Sequence, residues 1–420
     1  MPAPASPAPS QAIDTPDIRT AGRDRLSLAL MDARNHTLHL LAHFEQALGA
    51  AMPVPTAPDT VPPLWLAGHV AWLAESWIAR NPLRDRGVRC PPDALRIGSV
   101  EPRADAWFDP SLMPHAQRWS AELPDLAATK AYLLDTLETT LELLEKTSDH
   151  DDALYFFRMA LFHEDLRGEQ LIALAQTAGV PMRVPMPSGS VAREPVLLPA
   201  TRWHLGWPGG GFALDVERGA EEVPLPESEI DAQPVTWSQF VEFIDEGGYD
   251  RPELWHPQGW AWLQGEAAGE GRRGPRHVEQ IGVASGAVLQ TLFGKATRMG
   301  GGQSVMHACW WEADAFARWA GRRLPTEAEW EVGALAGARR GFRWGQVREW
   351  TAGTLRPWQG FSADPWTRQA ELDAQPLFGQ ARVLRGASFA TRARMKHPQA
   401  RWWALPERDD GFFGFRTCAL

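Results

Sequence analysis

Two histidines stand in settings that could bind a metal ion. His69 lies in Pro62-Pro63-Leu64-Trp65-Leu66-Ala67-Gly68-His69-Val70-Ala71-Trp72, where Trp65, His69 and Trp72 share one helical face. His163 lies in Leu161-Phe162-His163-Glu164-Asp165-Leu166-Arg167, inside a second helical pattern. A neutral imidazole offers one nitrogen lone pair to a cation while its other nitrogen keeps a proton. A single histidine among aromatics is most often a satisfied core residue. A second one on another helix argues for a shared site, because facing helices of a bundle are where inward side chains build metal centres. His36, His39 and His43 fall at i, i+3 and i+7 on one further face. That spacing could also turn nitrogens towards a metal, although a partly exposed polar face is the simpler account.

Helices must position these side chains. The pattern is helical from Arg23 to about Leu48, where leucines recur and no proline interrupts. Further helices are expected from Pro62, from about Asp125 to Lys146, and from about Asp151 to Ala178. Residues 23–180 therefore read as four helices in a bundle. Near Val180 the composition shifts: prolines rise and short β-like runs replace helices, which puts a domain boundary near 185. Further on, Leu324-Pro325-Thr326-Glu327-Ala328-Glu329-Trp330-Glu331 carries the signature of a helix start, with Thr326 as N-cap and Glu329 three residues on as its capping-box partner.

Composition narrows the function. The chain of 420 residues has 52 Asp and Glu against 42 Lys and Arg, a net charge of −10. That argues against nucleic acid or an anionic membrane as partner. No apolar run reaches transmembrane length. The first 20 residues, rich in Pro, Ala and Ser, lack the basic and apolar regions of a signal peptide and read as a disordered tail. Three separated cysteines (Cys90, Cys309, Cys418) without a CxxC fit free thiols in a reducing cytoplasm.

Several motifs occur together, in order. Trp65-x-x-x-His69 and His163-Glu164 come first, then Trp107-Phe108-Asp109-Pro110-Ser111. Trp255-His256-Pro257-Gln258-Gly259-Trp260, Leu324 to Glu331, Gly345 to Thr351, Arg385-Gly386-Ala387-Ser388 and Gly414-Phe415-Arg416 complete the set. From about 25 to 420 the chain resembles the EgtB-like non-haem iron sulfoxide synthases. The resemblance implies an α+β chain: a disordered tail over 1–22, a DinB-like four-helix bundle binding iron over 23–185, and a formylglycine-generating-enzyme-like (C-type-lectin-like) mixed α/β domain binding substrate over 186–420. A formylglycine generator itself is disfavoured, because that fold's cysteine pair cannot form where only Cys418 is present in the C-terminal part.

The family implies Fe(II) as cofactor and an oxidoreductase that uses O2 to join a sulfur donor to C2 of hercynine, the trimethylated form of histidine. His69 and His163 match two of its three iron-ligand positions. Arg167 stands at the third, and a guanidinium cannot ligate a cation. His43 is one possible substitute; otherwise two histidines plus water or substrate hold the metal, or the metal is weak or lost. The family's tyrosine between the Glu-Trp-Thr and Arg-Gly-x-Ser motifs is missing, since the tyrosines are Tyr132, Tyr155 and Tyr249. The catalytic proton donor is therefore open. Trp402 replaces an asparagine that would touch hercynine, and Ala404 replaces a residue often acidic where a γ-glutamyl-cysteine amine is recognised. Trp402 and Trp403 could stack on a sugar or a trimethylammonium, and Arg408 could clamp a carboxylate. These departures resemble the selenoneine synthase branch, which implies a selenosugar donor and C–Se bond formation. An ergothioneine-type synthase using cysteine or γ-glutamyl-cysteine, and a non-catalytic binding module, remain the alternatives.

Overall fold

The computed structural model describes residues 13–219, 221–269, 271–282 and 287–420. The N-terminal half is helical. α1 (Arg23–Leu48) closes at Gly49, whose φ of 78° needs glycine. α2 (Pro63–Ala74) starts with Pro63 in its first turn, where the missing N–H costs nothing, and continues into a π turn over Glu75–Ala79. A five-residue helix, α3 (Ala104–Phe108), precedes α4 (Leu126–Glu145), whose cap Asp125 accepts from the Ala128 N–H at 2.8 Å. α5 (Asp151–Ala178) ends on left-handed Gly179. α1 packs on α5 and α4, and α2 packs on α4 and α5. Trp65, Trp72 and Trp77 fill the space between them, essentially without solvent contact.

The tail expected over 1–22 divides. Residues 1–12 lie outside the described residues. Pro16–Thr20 form a 3-10 turn in which Ile18 is buried and Arg19 pairs with Glu217 at 2.8 Å, so this stretch is packed rather than loose. Composition alone concealed this, because the packing rests on Arg19 meeting Phe212 and Glu217, 193 and 198 positions away.

No helix or strand occurs over 179–195. The C-terminal half then mixes small sheets with helices, giving the α+β class. β1 (Val196–Leu198) pairs antiparallel with β4 (Ser228–Ile230), and β2 (Thr201–Leu205) with β3 (Glu221–Leu225). Two helices, α6 (Trp237–Asp245) and α7 (Pro257–Gln264), precede an antiparallel meander of β5 (Val278–Gly282), β6 (Ala287–Leu292) and β7 (Lys295–Met299). α8 (Trp310–Trp319) and α9 (Glu327–Ala336) follow. The capping box of α9 is formed: Glu329 Oε2 accepts from the Thr326 N–H at 2.8 Å, and Arg323 holds the same carboxylate. The principal sheet runs β10 (Arg401–Ala404), β9 (Arg382–Gly386), β8 (Arg348–Thr354), β11 (Phe413–Phe415), with β8 and β11 parallel and the other pairs antiparallel.

α5 joins the two halves. Asp165 and Arg394, both buried, pair at 2.6 and 2.7 Å. One turn on, Glu169 receives Arg348 at 2.6 Å and the hydroxyls of Ser388 and Thr391 at 2.9 Å each. Residues four apart share a helical face, so these anchors fix the rotation of α5 and with it where His163 and Arg167 point. Among the described residues no helix is long and apolar enough to cross a membrane.

Candidate metal and substrate site

His69 is held from three sides. Gly68 lets the Phe108 ring approach so closely that a Cβ there would sit 2.2 Å from ring carbons. The Phe108 carbonyl thereby reaches His69 Nδ1 at 2.9 Å. A carbonyl only accepts, so Nδ1 carries the proton and Nε2 keeps a bare lone pair. That Nε2 is buried and without a hydrogen-bond partner. Trp65 stacks on the imidazole with centroids 4.8 Å apart and planes 11° apart, and Trp72 lies on it at 5.6 Å.

The structure brings His163 to His69, with ring centroids 5.3 Å apart and near edge-on. Burial, then the Arg167 charge, pushes His69 down to about 3. Burial, Arg167 and His69 together push His163 well below its usual value. Both rings are neutral at physiological pH, the state a metal requires.

Arg167 turns inward, one helical turn after His163. Its Nε–H donates to His163 Nε2 at 3.1 Å, one Nη donates to Gln170 Oε1 at 2.5 Å, and the other donates to the Ala370 carbonyl. Burial lowers it to about 10, which leaves it a cation at neutral pH. Glu371 Oε2 lies 4.0 Å from its Nη2. Glu371 also accepts from Arg118 at 2.5 Å, and Arg118 lies flat on the Trp65 ring at 3.5 Å. Contacts therefore close a ring from His69 through Trp65, Arg118, Glu371 and Arg167 to His163. Glu371 has φ of 52°, a left-handed backbone unusual outside glycine and typical of functional positions.

Sequence reasoning missed Arg118 and Glu371 as site residues. Arg118 meets Glu371 across 253 positions, in a loop with no helical or strand period to betray it. Glu371 also borders a groove of about 950 Å³, lined by 88–93, 109–111 and 362–375. Its wall carries Asp93, Asp109, Asp364, Glu371 and Asp373 against Arg89 and Arg368. Arg118 and Arg218 reach Glu371 and Asp364 from outside that lining.

The other expected residues lie apart from the histidine pair. His43 Nε2 meets His39 Nε2 at 3.3 Å, and both line a separate cavity of about 320 Å³ with His36. Trp402 lies under Arg348 at 4.5 Å and beside Phe162 and Leu166 of α5, with Trp403 at 6.1 Å from it. Arg408 is gripped by Asp410 at 2.5 and 2.7 Å. Each tyrosine is engaged: Tyr132 with Glu75 at 2.5 Å, Tyr155 with Trp366 at 2.9 Å, Tyr249 with Glu312 at 2.6 Å. Burial pushes all three phenols up.

No group of three or more His, Cys, Asp or Glu side chains suited to a metal occurs among the described residues. The donors present are two neutral imidazoles, one with an orphaned, buried Nε2. They fit a divalent transition metal completed by water or substrate, provided Arg167 gives up His163.

Comparison with known proteins follows the same lines. Residues 183–346 match the sulfatase-modifying factor enzyme 1-like domain. The chain is similar to Hercynine oxygenase of Mycolicibacterium smegmatis, at 31% identity over 94% of this chain and 98% of that protein. It is similar at 30% identity to Hercynine oxygenase of Mycolicibacterium thermoresistibile, over 94% of each chain. Formylglycine-generating enzyme of Streptomyces coelicolor matches at 32% identity over 57% of this chain and 96% of its own length.

Proposed function

The chain belongs to the hercynine oxygenase family, whose fold and oxygen-dependent oxidoreductase character it shares, and we propose that it joins a chalcogen donor to hercynine using Fe(II) and O2. In this reading His69 and His163 hold the iron through Nε2, and the iron, when bound, supplies O2 activation. Phe108 fixes the tautomer that frees the His69 Nε2, a second partner of the kind that orients ligating histidines elsewhere. Trp402 and Trp403 receive the trimethylammonium or a sugar face. Arg408 is a weaker candidate for the carboxylate, since Asp410 already occupies its fork.

The donor we favour is a selenosugar, giving a C–Se bond at C2 of the imidazole. In that bond formation the ring C–H and the Se–H give up two protons and two electrons, and O2 accepts them either as hydrogen peroxide or, when one oxygen atom passes to selenium as the selenoxide, as one water. The observation that carries this choice is the groove at Glu371: Arg118, Arg218 and Arg368 pair with Glu371, Asp364 and Asp373, which leaves Asp93 and Asp109 as the acidic pair of its wall. A neutral, hydroxyl-rich donor suits such a wall, whereas an anionic thiol peptide is repelled. Ala404 supports the same choice, as it leaves no carboxylate there for a peptide amine. The second reading, an ergothioneine-type synthase using cysteine or γ-glutamyl-cysteine, agrees equally with the relatives' names. A third, a binding module without turnover, is favoured by the contact between Arg167 and His163.

The deciding experiment is anaerobic reconstitution with Fe(II), then O2 with hercynine and either the selenosugar or γ-glutamyl-cysteine, read by mass spectrometry. A selenium adduct formed in preference to the sulfur adduct supports the first reading. A sulfur adduct alone supports the second, and no adduct from iron-loaded protein supports the third. Unchanged iron content after replacing both His69 and His163 by alanine sinks the metal assignment.

A further inference from the structure

The Nε2 lone pair of His163 already faces a positive charge. Arg167 Nε is 3.1 Å from His163 Nε2, the lone pair a metal would need, and its other two nitrogens are held by Gln170 and the Ala370 carbonyl. On the neighbouring ring, 5.3 Å away between centroids, the buried His69 Nε2 has no hydrogen-bond partner. Like charges in a buried site repel strongly, and a hydrogen-bonded lone pair is not free to coordinate. A metal and this guanidinium placement are therefore incompatible.

The surroundings provide a second place for the guanidinium. Glu371 Oε2 stands 4.0 Å from Arg167 Nη2, short of a hydrogen bond but within reach of a small side-chain rotation. The left-handed backbone at Glu371, with φ of 52°, directs the Ala370 carbonyl and the Glu371 carboxylate to the same guanidinium. Arg118 holds the carboxylate in place from its other side at 2.5 and 3.3 Å. A carboxylate kept charged and fixed beside an arginine that need not yet touch it is a ready acceptor.

We propose that the Arg167 guanidinium and a divalent metal are alternative partners of His163 Nε2, and that metal binding moves Arg167 off His163 onto Glu371. This rests on the reading that the two histidines are the metal ligands. Arg167 then sets metal affinity, and the resting protein is protected from adventitious loading. Glu371, on the rim of the large groove, links metal loading to whatever fills that groove.

Anaerobic titration of the full chain with Co(II), followed by ligand-field absorption and metal analysis after gel filtration, tests this without turnover. R167Q removes the competing charge and should bind Co(II) at least tenfold more tightly than the parent. R167H adds a third imidazole and should bind more tightly still, with a shifted absorption band. E371Q removes the acceptor and should bind at least threefold more weakly than the parent. Far-UV circular dichroism confirms which variants are folded, and R167M replaces R167Q if the latter is not. Equal affinity of the parent and the folded charge-removal variant overturns the competition while leaving the ligand assignment intact. Absence of one-to-one binding in every variant, R167H included, overturns the ligand assignment itself.

Discussion

Trp65 lies parallel to His69, centroids 4.8 Å apart, and carries Arg118 on its ring at 3.5 Å. One indole thus separates a neutral imidazole from a guanidinium while ordering both. Its Nε1–H donates to the Trp107 carbonyl at 2.8 Å, at the end of α3, whose last residue, Phe108, accepts from His69.

Replacing Trp65 by alanine removes a fully buried side chain and should cost about 4 kcal/mol of stability. W65F keeps a ring in the stack and loses the hydrogen bond to Trp107, so it should cost about 1–2 kcal/mol. Urea unfolding with both variants measures the difference. Equal losses would mean that the ring kept in W65F contributes nothing, by stacking or by volume.

At Gly68 the prediction concerns close approach. A Cβ there would meet the Phe108 ring at 2.2 Å, and the aromatic has to move. G68A should lose about 2 kcal/mol of stability and bind Co(II) several-fold more weakly, because displacing Phe108 disturbs the carbonyl that orients His69. Thermal unfolding and metal titration of the same preparation check both. A variant of normal affinity would detach Phe108 from the metal site.

These two residues mark how far sequence reasoning reaches. His69, His163 and the helices that carry them were legible because helical periodicity and aromatic spacing are local. The Thr326–Glu329 cap was legible for the same reason. Arg118, Glu371 and the order of the principal sheet were not, since each depends on contacts between segments distant in sequence. The inward turn of Arg167 was half legible: its failure as a ligand follows from chemistry, but its grip on His163 depends on how distant residues such as Arg394 and Arg348 fix the rotation of α5.

The joint between the halves should be sensitive at Asp165. Its carboxylate and the Arg394 guanidinium are both fully buried and paired at 2.6 and 2.7 Å. D165N leaves a buried guanidinium with Asp32 as a remaining partner at 2.8 Å and should cost about 3 kcal/mol. Replacing both residues by apolar ones of similar volume should recover much of that loss. A double-mutant cycle in urea gives the coupling, and additive effects would deny that the pair acts as a unit.

Asp215 supplies a pH-dependent prediction. Burial, and then the neighbouring Asp364 charge, push its carboxyl up to about 7. The folded state therefore holds this proton more tightly than the unfolded chain, where an aspartate titrates near about 3.9. Its stabilising contribution is complete below the unfolded value and is lost as pH rises through about 7. D215N keeps a neutral side chain at every pH, so its stability relative to the parent should grow between pH 5 and pH 8, by up to about 3 kcal/mol. Chemical denaturation across that range decides it. A constant difference would show that Asp215 is charged throughout.

The last prediction concerns donor choice and follows from the acid on the groove wall. Asp93 and Asp109 belong to its lining, on the side supplied by the N-terminal half, while Glu371 belongs to the side nearest Arg167. An anionic thiol peptide approaching Glu371 passes these carboxylates, and a neutral sugar does not feel them to the same degree. Charge reversal in D93K/D109K should therefore raise the ratio of γ-glutamyl-cysteine adduct to selenosugar adduct, about tenfold at low ionic strength. The gain should shrink as salt is raised, because exposed charges are screened over a Debye length of about 8 Å at physiological ionic strength. Competition assays with both donors, quantified by mass spectrometry at two salt concentrations, read the ratio directly. A salt-independent change would point to altered shape rather than charge. An unchanged ratio would remove the groove from donor selection and return that role to the tryptophans of β10.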